Sequence, residues 1–278
     1  MRGEVGSQLS FKACSWFSTY RIHHRRAERF RQGRCFLLGD AAHVHSPVGA
    51  QGMNTGLQDA YNLAWKLALV INGDAGEGLL DAYEAERVPV AQRLLDTTDR
   101  AFTLVASDSW PAGLLRTQVM ANVMAFAMRR ERVRKLAFRT ISQTGIHYRG
   151  SPLSQTQPGM SADAPRAGDR FPWLRLRRLP DGPVEDMFSA LDDRHFHLLL
   201  FGQAAPTQGE VGADGSLRVH AIPDCPDNAG ELERAKIASP SFYLLRPDGH
   251  VGLAGSVPEP SVVSRYLSDR LHLKPRAN

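Results

Sequence analysis

The stretch Arg34-Cys35-Phe36-Leu37-Leu38-Gly39-Asp40-Ala41-Ala42-His43-Val44-His45-Ser46-Pro47-Val48-Gly49-Ala50-Gln51-Gly52-Met53-Asn54 decides how this chain is read. Residues 35–38 are continuously apolar, the pattern of a strand covered on both faces. Gly39-Asp40 ends that strand. Open α/β sheets bind ligands outside the carboxyl ends of their strands, and an aspartate there can accept hydrogen bonds from ligand hydroxyls. Gly49 and Gly52 allow backbone approach that a side chain would block. Asn54 or Thr55 is suited to cap a following helix, and the free N–H groups of that helix start favour an anionic or electron-rich ligand edge.

Downstream, Leu57, Ala60, Leu63, Ala64, Leu67, Ala68 and Ile71 recur at three- and four-residue steps, which predicts a helix with one apolar stripe. Asn72-Gly73 is its stop signal. A second helix starts near Leu79, where Pro89 either kinks it or marks a boundary; helical character continues through residue 106 and again over residues 114–141. The methionines of that last region read as irregular core filling. Upstream, residues 1–10 are small and polar, and residues 11–24 read as a strand on the strength of Trp16, Phe17, Tyr20 and Ile22.

A composition shift follows residue 148, where a linker rich in Ser, Gln, Pro, Gly and Ala runs to residue 170 and predicts a domain boundary. Beyond it, residues 197–201 and 217–222 are short strand candidates. Residues 241–253 read as strand, Pro-Asp-Gly turn, strand, which is a hairpin. Residues 262–271 close as a helix.

The formal charge of +5 is compatible with an anionic cofactor or with nucleic acid and selects neither. Much of it sits in residues 21–34, which carry no nucleic-acid-binding motif and read as a solvated face, so no nucleic-acid partner is expected. Three widely spaced cysteines, Cys14, Cys35 and Cys225, give neither a disulfide framework nor a metal pattern. No apolar run reaches ~18 residues and no signal core opens the chain, so no membrane partner is expected and the cytoplasm is the default location. His43 and His45 form an H-x-H pair without a third ligand, so no metal is expected and the pair reads as loop anchoring. Asp59 reads as a structural first-turn helix carboxylate.

Gly39-Asp40-Ala41-Ala42-His43, Pro47, Gly49, Gln51-Gly52-Met53-Asn54, Gly56, Asp59-Ala60, Asn62-Leu63 and Trp65-Lys66-Leu67 together resemble the second flavin-binding motif of single-component FAD-dependent aromatic hydroxylases, a family with the para-hydroxybenzoate hydroxylase fold. The match is ordered and without gaps. Ala50 stands where many relatives have a second glycine. Arg26-Ala27-Glu28-Arg29 resembles the family's turn before the flavin strand, and Tyr83-x-x-Glu86-Arg87-x-Pro89 its long helix running through the proline.

The resemblance implies FAD as cofactor, NAD(P)H as co-substrate and a small aromatic substrate, hydroxylated with O2. It implies cofactor-binding roles for Gly39, Asp40, Pro47, Gly49, Gln51, Gly52, Met53 and Asn54. Asp40 would bind on the ribityl or pyrophosphate side. Gly49, Gly52, Met53 and Asn54 would bring backbone N–H groups to the pyrimidine edge of the flavin, where negative charge develops on reduction. No side chain stands out as catalytic, because in such enzymes the cofactor carries the chemistry. The C-terminal part resembles the thioredoxin-like domain of the phenol- and polyketide-hydroxylase branches, without a redox cysteine pair.

The expected fold class is therefore α/β: an incomplete, Rossmann-like FAD-binding domain with following helices, then a thioredoxin-like α/β domain. The expected divisions are residues 1–33 (last strand of a substrate domain and its return), 34–150 (C-terminal part of the FAD-binding domain plus helices) and 151–278 (thioredoxin-like). No G-x-G-x-x-G occurs before the flavin strand, so the chain is expected to be the C-terminal part of a hydroxylase, inactive alone and binding FAD weakly or not at all. The alternative is a non-catalytic scaffold that forms a homodimer through its C-terminal region.

Overall fold

The computed structural model describes residues 13–19, 23–45, 51–106, 121–179, 181–206 and 215–274. The N-terminal part holds short strands: β1 (Arg25–Arg26), β2 (Arg31–Gln32), β3 (Cys35–Phe36) and β4 (His43–Val44). β2 and β3 form an antiparallel pair, as do β1 and β4. Helices α1 (Gly52–Ile71) and α2 (Asp81–Ala106) follow, then α3 (Ala121–Ala127) and α4 (Glu131–Ile141).

The C-terminal part is built on β5 (Gln155–Thr156), the hairpin of β6 (Arg175–Arg177) and β7 (Val184–Asp186), then β8 (Phe196–Phe201), β9 (Leu217–Ile222), α5 (Pro226–Ala235), β10 (Ser241–Leu245), β11 (Val251–Gly255) and α6 (Pro260–Arg265). A five-stranded sheet has the order β5-β11-β10-β8-β9. β8 runs parallel to β9 and antiparallel to β10, and β11 runs parallel to β5.

Strand alternation divides this sheet between two cores. Leu198, Leu200, Phe242, Leu244 and Leu253 face one side, where they pack with Trp65, Leu79 and Ala82 of the N-terminal part and with Tyr266. Leu199, Phe201, Tyr243 and Leu245 face the other, against Phe171, Leu174 and Leu232. A third core, around Phe30, Ala42, Leu63, Tyr83 and Ala91, lies beneath the N-terminal strands. Since α1 and α2 contribute to the first core, the two parts of the chain share apolar packing.

Several sequence expectations change. Residues 11–24 were expected as a strand; residues 13–19 and 23–24 are not in one, and Trp16 and Phe17 are exposed, having no neighbouring strand to pack on among the described residues. Of residues 35–38 only Cys35 and Phe36 are paired, on one side, so Leu37 and Leu38 remain 39% and 38% exposed rather than buried on both faces. The helix begins at Gly52, not after Asn54: Gln51 already has helical angles, and the Thr55 hydroxyl bonds back to the Gln51 carbonyl at 2.9 Å instead of capping. The apolar stripe of α1 is also not its buried face. Leu57 and Ile71 are exposed, while Thr55, Asp59, Asn62 and Lys66 are buried beside Leu63 and Trp65.

Other expectations hold. α1 stops at Asn72, followed by Gly73 at φ +80°. α2 passes through Pro89 as one helix. The Pro-Asp-Gly turn joins β10 to β11. Residues 21–22, 46–50 and 107–120 lie outside the described residues. Among the described residues, no helix is long and apolar enough to cross a membrane.

The two parts are tied where the Tyr148-Arg149 backbone passes Gly168. Gly168 has φ +89°, and a Cβ there would lie 2.4 Å from the Tyr148 carbonyl carbon and the Arg149 nitrogen. Both neighbours are backbone and cannot give way. Gly168→Ala is therefore expected to cost about 2 kcal/mol or more, read as a lowered urea midpoint; an unchanged midpoint would contradict this packing.

Candidate flavin site and the buried charges beneath it

The turn 39–41 lies against the first turns of α1. Gly39 has φ +55°, and a Cβ on Gly56 would come within 3.3 Å of the Gly39 Cα, so both positions need glycine for the turn and helix to meet. The turn is held from below by Asp59. One carboxylate oxygen, Oδ2, accepts the Gly39 N–H at 2.9 Å and lies 2.7 Å from His43 Nε2; the other, Oδ1, accepts Arg87 Nε at 2.6 Å. His43 is thus a loop anchor. Among the described residues no group of three or more His, Cys, Asp or Glu could hold a metal ion.

Above this support, Asp40 is exposed, and among the described residues its carboxylate accepts no hydrogen bond. Gln51, Gly52, Met53 and Asn54 form the start of α1, which has no side-chain cap. The N–H groups of its first turn lack intrahelical partners. A Cβ on Gly52 would meet His45 Nε2 at 3.0 Å, so the loop end closes tightly on the helix start. The Nδ1 of buried His43 has no hydrogen-bond partner. Free donors at a helix start, a free carboxylate at a strand end and a glycine cradle fit a cofactor with ribityl hydroxyls and an electron-rich ring edge. Pro47 and Gly49 lie outside the described residues. Beside the helix start, α1, α2 and α4 border an open cavity of about 420 Å³ lined in part by Gln51, Thr55, Leu94, Leu136 and Ile146.

Four residues of α2 carry the surrounding structure. Tyr83 donates to the Leu37 carbonyl at 2.8 Å, and Glu84 accepts the Phe30 and Arg31 amides at 2.6 and 3.0 Å. Glu86 accepts Asn62 Nδ2, Lys66 Nζ and Ser151 Oγ at 2.7, 3.0 and 2.6 Å, and both of its oxygens accept from Arg246. Arg87 donates to Asp59, to the Tyr148 hydroxyl oxygen at 2.8 Å and to the Thr55 carbonyl at 3.2 Å. Arg246 also pairs with Asp248, which accepts Trp65 Nε1 at 3.2 Å. Lys66, Arg87 and Arg246 balance Asp59, Glu86 and Asp248, and all six are buried.

Burial disfavours each charged form, but for the three carboxylates the pairing decides the outcome. For Glu86, burial is outweighed by Arg246 and then Lys66, and its carboxyl is held down at about 2. For Asp59, burial is outweighed by the hydrogen bond with His43 and by Arg87, which lower it. Asp248 is held well below the usual range, against burial, chiefly by Arg246. Burial wins at Lys66, which falls to about 8 despite Glu86.

Sequence reading kept Asp59 as structural but gave it the wrong reason, and it did not find the group around Glu86. The available signal was Asp59, Asn62 and Lys66, which share one helix face at three- and four-residue steps.

Residues 1–98 match the family model described as FAD binding domain. The relatives that the chain matches are named as monooxygenases, one of them as FAD-dependent. The chain is 36% identical over 290 residues to 6-methylpretetramide 4-monooxygenase of Streptomyces rimosus, covering 98% of this chain and 50% of that protein. It is 54% identical over 203 residues to pentachlorophenol 4-monooxygenase of Sphingobium chlorophenolicum, covering 73% and 34%. Among solved structures, an anhydrotetracycline hydroxylase from Streptomyces rimosus superposes with a TM-score of 0.65 at 30% identity, over 91% of this chain and 47% of that one. The chain thus spans about half the length of the first of these relatives or less of the others. These relatives do not favour a scaffold reading.

Two outcomes follow from the buried charges. Each carboxylate is lowered in the folded state, so its contribution is complete above its unfolded value, near 4.5 for Glu86, and is lost as pH falls toward 2; melting temperatures are expected to fall steeply across that window, and a flat profile would contradict the pairing. Arg246→Met leaves two buried carboxylates facing Lys66 and is expected to cost roughly 3–5 kcal/mol by chemical denaturation.

Proposed function

We propose that this chain forms the C-terminal half of the flavin site of a monooxygenase that hydroxylates electron-rich, phenolic aromatic compounds with NAD(P)H and O2. The observation that carries the reading is the uncapped start of α1 beside the exposed Asp40 turn, inside a segment that matches an FAD binding domain. FAD, when bound, supplies the redox chemistry. The chain's own residues bind and orient. Asp40 accepts hydrogen bonds from ribityl hydroxyls. Gln51, Gly52, Met53 and Asn54 present the helix start to the pyrimidine edge, and Gly39 sets the turn. Pro47 and Gly49 are further cofactor-binding residues. The exposed Leu37 and Leu38 pack beneath a further strand of a dinucleotide-binding half.

The substrate class is supported by relatives named for a pretetramide and a chlorinated phenol. The cavity between α1, α2 and α4 offers adjoining apolar space. We further propose that residues 151–278 form a thioredoxin-like unit without thiol chemistry. Its support is the order β11-β10-β8-β9 with β8 and β9 parallel, together with the isolation of Cys225.

FAD titration followed by flavin fluorescence tests the reading. The chain alone is expected to bind weakly. Fused behind the dinucleotide-binding half of 6-methylpretetramide 4-monooxygenase, it is expected to hold FAD stoichiometrically, and Asp40→Ala to weaken that binding about tenfold, roughly 1.4 kcal/mol. A fusion that never retains FAD, or an Asp40→Ala fusion that binds as the parent does, would overturn it.

A further inference from the structure

The turn between β10 and β11 lies in the C-terminal part, yet its side chains reach the residues that hold the Gly39 turn. The path runs through Tyr148. Asp248 accepts the His250 backbone N–H at 3.2 Å, and its carboxylate lies 3.3 Å from the His250 Nδ1, which makes no hydrogen bond. The His250 ring packs on the Tyr148 ring with centroids 4.3 Å apart. The Arg246 guanidinium lies 5.4 Å from the same ring. Tyr148 is therefore held by two side chains of the turn, and by its own N–H on the Gly168 carbonyl at 2.7 Å.

From Tyr148 the path continues without slack. Its hydroxyl oxygen takes Arg87 Nη1, the Thr55 carbonyl takes Nη2, and Asp59 takes Nε. Three acceptors in three directions fix a planar guanidinium, since its donors form a rigid fork. Arg87 thereby sets the rotation of the Asp59 carboxylate, and Asp59 holds Gly39 and His43. Every side chain along this path is buried, so water offers no substitute partner when one link is removed.

We propose that Arg246, Asp248 and Tyr148 are positioning residues for the Gly39-Asp40 turn, so that the C-terminal part sets the geometry of the flavin site as well as adding to stability. The purpose assigned to the turn rests on the flavin reading above; the coupling itself does not. A shared core would stabilise both parts without regard to the direction of one carboxylate. The chain of directional contacts from Tyr148 to Gly39, on which the turn packs through His250 and Arg246, is what distinguishes positioning from simple docking.

Amide hydrogen exchange on the chain itself, followed by NMR, tests this without any cofactor, so it can fail while the flavin reading stands, and the reverse. The readout is the exchange rate of the Gly39 amide relative to that of Leu63, in the middle of α1. Tyr148→Phe keeps the ring and removes the hydroxyl; Asp248→Asn keeps the shape and removes the charge. Tyr266→Phe is the control, because it deletes an equally buried hydroxyl that lies near Arg246 but donates to the Leu153 carbonyl at 2.7 Å and to no residue of this path. Tyr148→Phe and Asp248→Asn are expected to raise the Gly39-to-Leu63 ratio at least about fivefold, and Tyr266→Phe to leave it unchanged. A ratio unchanged in Tyr148→Phe, or raised equally by Tyr266→Phe, would overturn the proposal. If Asp248→Asn does not fold, Tyr148→Phe decides alone.

Discussion

Glu86 and Arg87 are consecutive on α2, oppositely charged and buried, and the rest of the molecule is arranged to compensate them. Neighbouring helix positions point in different directions. Glu86 therefore meets Lys66 and Arg246, while Arg87 meets Asp59 and Tyr148. A buried ion is costly unless paired and hydrogen-bonded. Here the partners come from α1, from the segment after α4 and from the β10–β11 turn. No part can move far without stranding a charge.

That arrangement explains why the buried face of α1 is polar. Apolar side chains would have held α1 to its neighbours with no preference for one rotation. Asp59, Asn62 and Lys66 instead require donors and acceptors at set places, which fixes the helix about its axis. The same rotation places Gly56 under Gly39 and the uncapped helix start beside Asp40. The geometry of the candidate cofactor site is in this sense a consequence of charge pairing one helical turn below it.

What could be read from the sequence followed the range of the interactions. The β10–β11 hairpin was legible because Pro247-Asp248-Gly249 specifies its own turn, and the end of α1 because Asn72-Gly73 does the same. β8 and β9 were legible as short strand candidates. The buried face of α1 was not, because the ion-pair partners of Asp59 and Lys66 lie 16 to 28 residues away in sequence, and Trp65 meets Asp248 183 residues on. Residues 35–38 read as a strand covered on both faces, whereas Leu37 and Leu38 are exposed. The residues of the candidate site were legible by resemblance, while the support beneath them was visible only once α1 and α2 were brought together.

In the proposed flavin site, the Gly39-Asp40 turn and the start of α1 are two sides of one binding surface. A crystal structure of the FAD-loaded fusion described above tests that directly. The account predicts ribityl hydroxyls within hydrogen-bonding distance of the Asp40 carboxylate, and the pyrimidine edge of the ring facing the first-turn amides of Gly52, Met53 and Asn54. A flavin seated elsewhere, with Asp40 left in solvent and the helix start pointing away from the ring, would contradict it.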